Sequence, residues 1–200
     1  MIGVTDSKIC NIFSLTNMLK HIGAEYKIIS GEKDFVGVDK IILPGVGSFP
    51  KAMENLSKFG LIDPIKAASA DGVPILGICL GMQLLFEQSE EFGASNGLGL
   101  IPGCVVKIRN AKILPHMGWD NLNIKDNTTI LQGVEQNADV YFVHSYRADT
   151  EPQYILATAE YGDEIPAVVG NGNIYGTQFH PEKSQKWGEI ILRNFAGIEA

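Results

Sequence analysis

Residues 73–85, VPILGICLGMQLL, run from an unbroken apolar stretch into a helix-compatible one through Gly77-Ile78-Cys79-Leu80-Gly81. An apolar run without alternation fits a strand buried on both faces, as in a parallel sheet covered by helices on each side. The pattern predicts a strand over 73–78 and a helix over 82–91. Glycines on either side of Cys79 allow a turn that side chains would obstruct. G-x-C-x-G is the thiol counterpart of the G-x-S-x-G nucleophile elbow, whose strained turn presents its central residue at the carboxyl edge of the sheet. Open α/β sheets bind ligands at that edge, and the first turn of a following helix favours negative charge there. A small core thiol in a tight turn satisfies the same five residues. The pentapeptide alone leaves the two readings level.

The rest of the first half repeats the alternation. Short apolar runs at 2–5, 26–30 and 40–43 read as strands, separated by NIFSLTNMLKHIG (11–23) and by short helices over 51–59 and 62–70. Ile12, Leu15, Leu19 and Ile22 form one helical stripe, with Gly23 in a C-terminal capping position. The second half changes character. VVKI (105–108), DVYFVHSY (139–146), YILATAEY (154–161), AVVG (167–170) and NIYGTQF (173–179) read as strands, GNGN (170–173) as a hairpin turn, and 187–195 as a closing helix. The expected fold is therefore α/β, with a mostly parallel central sheet, helices on both faces and antiparallel strands in the C-terminal half. Without a linker or repeat, residues 1–200 read as one domain.

Composition narrows the function classes. A formal charge of −7 argues against a nucleic-acid or anionic-membrane surface. The three cysteines, Cys10, Cys79 and Cys104, form no C-x-x-C pair, which suggests reduced thiols and neither a disulfide framework nor a zinc site. No metal constellation or dinucleotide fingerprint stands out, so no cofactor is expected. The first ten residues lack the basic and apolar regions of a signal peptide, and no run of 18 apolar residues occurs, so the expected location is cytoplasmic.

A nucleophilic thiol needs a base, and the base needs an orienting group. His21 reads as solvated surface, while His116 in PHMGW and His144 in YFVHSY fit partly buried structural histidines. His180 ends a strand in TQFHPE, two residues before Glu182. On an extended segment an i, i+2 pair projects to one side, and Pro181 is expected to keep the segment extended. Cys79, His180 and Glu182 then form a candidate triad. A developing oxyanion would find a donor in the Leu80 amide and a second in the backbone of Pro44-Gly45-Val46-Gly47, which follows the third strand. PGVGSFPKA matches neither a dinucleotide nor a Walker phosphate loop.

These residues resemble a known family. GICLGMQLL, preceded by PGVG and followed by QFHPEKS, is similar to the class I, triad-type glutamine amidotransferases. ILPGVGSFPKAM, GLGLIPG, LPHMGWDNL, YFVHSY, YGTQFHPEKSQ and LRNF resemble, in order and spacing, its histidine-biosynthesis branch, the glutaminase subunits of imidazole glycerol phosphate synthases. The resemblance covers nearly everything from Ile41 onward. It implies a flavodoxin-like amidotransferase fold and hydrolysis of L-glutamine through a thioester on Cys79. It implies oxyanion donors at Gly45, Val46 and Leu80, and glutamine contacts at Gly47, Gln83, Ser145 and Tyr146. It also implies delivery of ammonia to a (β/α)8-barrel cyclase, with Asn11, Trp119, Tyr141 and Lys183 on the partner side. The chain departs from the pattern near its start. Where the family has a stretch resembling DYGxGNLxS, this sequence reads DSKICNIFS, with lysine and cysteine at the glycine positions and Asp6, Asn11 and Ser14 matching. That departure leaves a second acceptor open: a paralogue supplying ammonia to a related barrel that acts on a sugar-derived substrate in surface polysaccharide synthesis.

Overall fold

The computed structural model describes residues 1–6, 12–126 and 128–198. The loop around Ser7–Cys10 and the expected partner residue Asn11 lie outside the described residues. Strands β1 (Ile2–Thr5), β2 (Tyr26–Ile29), β3 (Lys40–Gly45) and β4 (Ile75–Cys79) are interleaved with helices α1 (Ile12–His21), α2 (Phe49–Lys58) and α3 (Ile62–Ala70). Beyond β4 come α4 (Leu80–Leu84), β5 (Phe86–Ser89), β6 (Ser95–Asn96), β7 (Ile101–Lys107), β8 (His116–Asn121) and β9 (Asn123–Ile124). The chain continues through β10 (Asp139–His144), β11 (Tyr146–Asp149), β12 (Ile155–Tyr161), β13 (Asp163–Asn171), β14 (Ile174–Thr177) and α5 (Gln185–Gly197).

Among the described residues the main sheet has eight strands in the order β2-β1-β3-β4-β14-β13-β12-β9. Its first five strands are mutually parallel, and the last three are added antiparallel. The expected α/β class is what the chain adopts. Side chains alternate along the strands, so Ile41 and Leu43 join one core while Ile42 joins the other. Leu15 and Leu19 of α1 and Ile191, Leu192 and Phe195 of α5 bury against the second of these faces. Leu56 of α2 and Ile65 of α3 bury against the first. α1 ends where Gly23 takes φ 74° and the Ala24 amide donates to the Leu19 carbonyl, a conformation that glycine reaches without strain. The 170–173 turn does join two strands, with β13 and β14 pairing Asn171 to Ile174.

One expected element is replaced. The helix over 82–91 stops at Leu84, and Phe86–Ser89 is a strand. β5 pairs with β7 and β6, and β11 completes a four-stranded sheet in the order β11-β7-β5-β6. Phe86–Ser89 takes its backbone partners from β7 and β6, and that pairing decided against the helical period that the sequence suggested. No helix among the described residues is long and apolar enough to cross a membrane.

Candidate active site

β3 and β4 run side by side at the centre of the sheet, and their register sets Gly45 opposite Cys79. Cys79 closes β4 and precedes α4 with φ 54° and ψ −109°, a strained conformation for a residue with a side chain. The flanking glycines are required by close approach. A Cβ on Gly81 would lie 1.7 Å from the Leu43 carbonyl oxygen, and one on Gly77 would lie 2.6 Å from the Gly81 oxygen. These gaps let α4 lie directly on the sheet and turn the Cys79 thiol outward. That side chain lines an open cavity of about 560 Å³, room enough for a small amino-acid ligand.

His180 reaches the same cavity from the far side. Its backbone amide donates to the Tyr141 carbonyl, and Ser184 Oγ donates to the His180 carbonyl at 2.7 Å while accepting the Tyr141 amide at 3.0 Å. Pro181–Lys183 forms a 3-10 turn, so the expectation of an extended His-Pro-Glu segment is corrected. Proline fits the first position of a tight helical turn, where its fixed φ suits the turn and its missing N–H is not needed. The turn brings Glu182 Oε1 to 2.8 Å from His180 Nδ1, with both side chains about 95% buried. The opposite ring nitrogen, Nε2, is buried with no hydrogen-bond partner among the described residues.

Burial opposes a charge on the His180 ring. The neighbouring Cys79 sulfur in its negatively charged form, and after it the Glu182 carboxylate, overcome burial and push its pKa up from 6.5 to about 10. The ring therefore keeps a proton that a leaving amine can take. Between about pH 6.5 and 10 the folded chain holds a proton that the unfolded chain has released. The stabilisation from this group is complete below the lower value and is lost as pH rises through the upper one. We expect the basic limb of kcat/KM for amide hydrolysis to fall near pH 10, and Glu182→Gln to move that limb downward. A wild-type limb near pH 6.5 would contradict the assignment.

The other expected positions distribute as follows. Val46, Gly47, Leu80, Gln83, Ser145 and Tyr146 line the cavity with Cys79 and His180, and Gly45 lies just behind it, beside Cys79. Gln83 Nε2 donates to the Tyr146 carbonyl at 3.0 Å and to Gln178 Oε1 at 3.0 Å. Trp119, Tyr141 and Lys183 form a separate cluster at the surface, with the indole edge-on to the Tyr141 ring at 5.8 Å and Lys183 Nζ 5.7 Å from the ring centre. Trp119 is 48% exposed, and Met117 beside it on the same face of β8 is 60% exposed.

Gln178 and Glu91 are among the residues of the site that escaped the sequence reading. Gln178, wholly buried, directs Nε2 at the Cys79 sulfur at 3.9 Å. It precedes His180 by two, so strand alternation would have placed both on one face. Glu91 lines the cavity and accepts the Phe49 amide at 2.7 Å, and burial raises its carboxyl pKa against that bond. No local signal marks Glu91, because the sequence assigned it to a helix that does not form. Among the described residues no group of His, Cys, Asp and Glu could hold a metal ion.

Residues 4–197 match the family model for glutamine amidotransferase class-I. The chain is 46% identical over 198 residues to an imidazole glycerol phosphate synthase subunit HisH of Bacillus mycoides, covering 99% of this chain and 95% of that protein. It is 45% identical, with the same coverage, to the subunit of that name from Bacillus cereus strain B4264. Among solved structures, a crystal structure of a glutamine amidotransferase superposes with a TM-score of 0.77 at 20% identity, over 98% of this chain and 99% of that one. PurLQS from Thermotoga maritima gives 0.78 at 19%, over 97% and 96%. At these identities the structures speak to the fold alone.

Proposed function

The chain belongs to the class-I glutamine amidotransferases, and on that premise we propose that it is the glutaminase subunit of an imidazole glycerol phosphate synthase in histidine biosynthesis. The observation that carries the catalytic part is the placing of the Cys79 thiol and the His180 ring on one cavity, with Glu182 Oε1 2.8 Å from His180 Nδ1 on the ring's other side.

In the proposed reaction the Cys79 thiol passes its proton to His180 Nε2, and the sulfur attacks the side-chain carbonyl carbon of L-glutamine. The oxygen takes up negative charge, and the Leu80 amide with the Gly45–Val46 backbone supplies donors to it. His180 gives its proton to the departing nitrogen, ammonia leaves, and a thioester remains on the sulfur. Water, deprotonated by His180, cleaves the thioester to glutamate and restores the thiol. Glu182 holds the ring by Nδ1 and balances its charge. Gly47, Gln83, Ser145 and Tyr146 seat the amino-acid end, and the Glu91 carboxylate faces the same cavity as a partner for an ammonium. No cofactor enters these steps. Residues 1–200 act as one amidotransferase domain in the cytoplasm.

The partner is a cyclase subunit with a (β/α)8 barrel, docked over Trp119, Tyr141 and Lys183, which takes the ammonia to make imidazole glycerol phosphate and aminoimidazole carboxamide ribotide. Exposed Trp119 and Met117 support this face, since large apolar side chains gathered at the surface mark interaction sites. The curated relatives support the histidine acceptor, and none reported above points to a sugar-derived one. The test is glutamate release by the purified chain, alone and with a histidine-pathway cyclase subunit carrying its nucleotide ligand. We expect stimulation of about tenfold or more, equivalent to about 1.4 kcal/mol of coupling. No stimulation by a cyclase that turns over free ammonia would sink the partner assignment.

A further inference from the structure

β8 and β10 pair so that Met117, Trp119 and Tyr141 share one face of a two-stranded ribbon, while His116, Phe142 and His144 share the other. The inward face is buried, with His116 2% and His144 6% exposed. Their rings are joined, His116 Nδ1 lying 3.0 Å from His144 Nε2. His116 is stacked between Phe142 at 4.5 Å and Tyr161 at 3.9 Å, and its Nε2 lies 3.4 Å from Asp120 Oδ2. At the other end His144 Nδ1 is 2.8 Å from the Tyr146 carbonyl oxygen.

The direction of each bond follows from chemistry. A carbonyl only accepts, so His144 Nδ1 carries the proton. Burial, followed by the neighbouring His116 and His180 and opposed by the Tyr146 carbonyl, holds the His144 pKa at about 3, so the ring is neutral and its Nε2 accepts. His116 Nδ1 is then the donor. The Tyr146 carbonyl accepts twice, from His144 Nδ1 and from Gln83 Nε2, which occupies both its lone pairs. Gln83 spends its other amide proton on Gln178, the residue against the Cys79 sulfur.

We infer that His144, fixed by His116, is a positioning residue for substrate binding: it holds the Tyr146 carbonyl, and through it Gln83 and the 145–146 backbone, in the geometry that seats the amino-acid end of an amide substrate. This rests on the glutaminase reading. Neither histidine serves as base, since His180 meets the thiol, and a purely structural core position would be filled at lower desolvation cost by an apolar side chain.

The test separates seating from thiol reactivity by labelling Cys79 in the full chain with two reagents. One is 6-diazo-5-oxo-L-norleucine, a glutamine-shaped diazoketone that must first bind. The other is iodoacetamide, which needs no seat. For His144→Leu we expect the half-saturating diazoketone concentration to rise tenfold or more, with the iodoacetamide rate within about twofold of wild type. His144→Asn, whose amide nitrogen replaces Nδ1, should recover most of the loss, whereas His144→Gln, whose amide sits nearer Nε2, should not. The Asn and Gln variants decide the matter if the leucine variant does not fold. Unchanged saturation in His144→Leu, equal loss in Asn and Gln, or a parallel fall in the iodoacetamide rate would overturn the inference while leaving the glutaminase reading intact. A wild-type chain that reacts with iodoacetamide but shows no saturable diazoketone labelling would overturn both.

Discussion

Cys79→Ala should lower kcat for glutamine hydrolysis by about 10⁴-fold or more, roughly 5.5 kcal/mol, and leave the far-ultraviolet circular dichroism spectrum unchanged. The size follows from what the thiol does. Without it no thioester forms, and the oxyanion donors and binding contacts that remain cannot replace a nucleophile. The fold persists because the side chain is small and opens onto a cavity, so little packing is lost. A companion variant tests the elbow itself. At φ 54° and ψ −109° a side-chain-bearing residue is strained by about 1–3 kcal/mol, which glycine avoids. Cys79→Gly should therefore melt above Cys79→Ala, despite the extra 0.5–1 kcal/mol or so of chain entropy that glycine loses on folding. Substantial glutamate release by either variant would defeat the nucleophile assignment. An alanine variant that outlasts the glycine one would defeat the strain argument.

Gly81→Ala should be the most damaging single-methyl change in the chain, with a loss of about 4 kcal/mol or more or a failure to accumulate as soluble protein. Its Cβ would stand 1.7 Å from the Leu43 carbonyl oxygen, and that oxygen belongs to β3, paired with β1 on one side and β4 on the other. No flexible side chain is available to yield, so either α4 lifts from the sheet or the central pairing breaks. Denaturant unfolding of the purified variant measures the loss. A variant within 1 kcal/mol or so of wild type would show that the elbow tolerates displacement. If the variant folds with α4 lifted, Cys79 leaves its place beside His180 and hydrolysis fails as well.

The strand-helix-strand alternation of the first half was legible because its apolar periods are strong and its turns carry glycine. The elbow was legible for a related reason: G-x-C-x-G encodes a backbone constraint within five consecutive residues. The His180–Glu182 pair was also found, although for the wrong local geometry, because the 3-10 turn at Pro181–Lys183 brings Nδ1 and Oε1 together where an extended strand was expected. The region after α4 was misread. LLFEQSEE satisfies a helical pattern in isolation, and its pairing with residues 101–105 on one side and 95–96 on the other makes Phe86–Ser89 a strand. With that element went Glu91, whose position in the cavity depends on the same turn of chain.

What the sequence determined by itself, then, is everything encoded by neighbours along the chain: the parallel α/β core, the strained thiol turn, and the residue types able to act as base and orienting acid. What only the tertiary structure decided is which distant groups meet. Strand pairing set Gly45 beside Cys79, carried Gln178 to its sulfur, and joined His116 to His144 against the Tyr146 carbonyl. Those contacts bridge 28 to 99 positions of sequence in the side-chain pairs His116–His144 and Cys79–Gln178. No local propensity encodes such separations, because they are fixed by sheet order and register, and register is fixed by the burial of both faces at once.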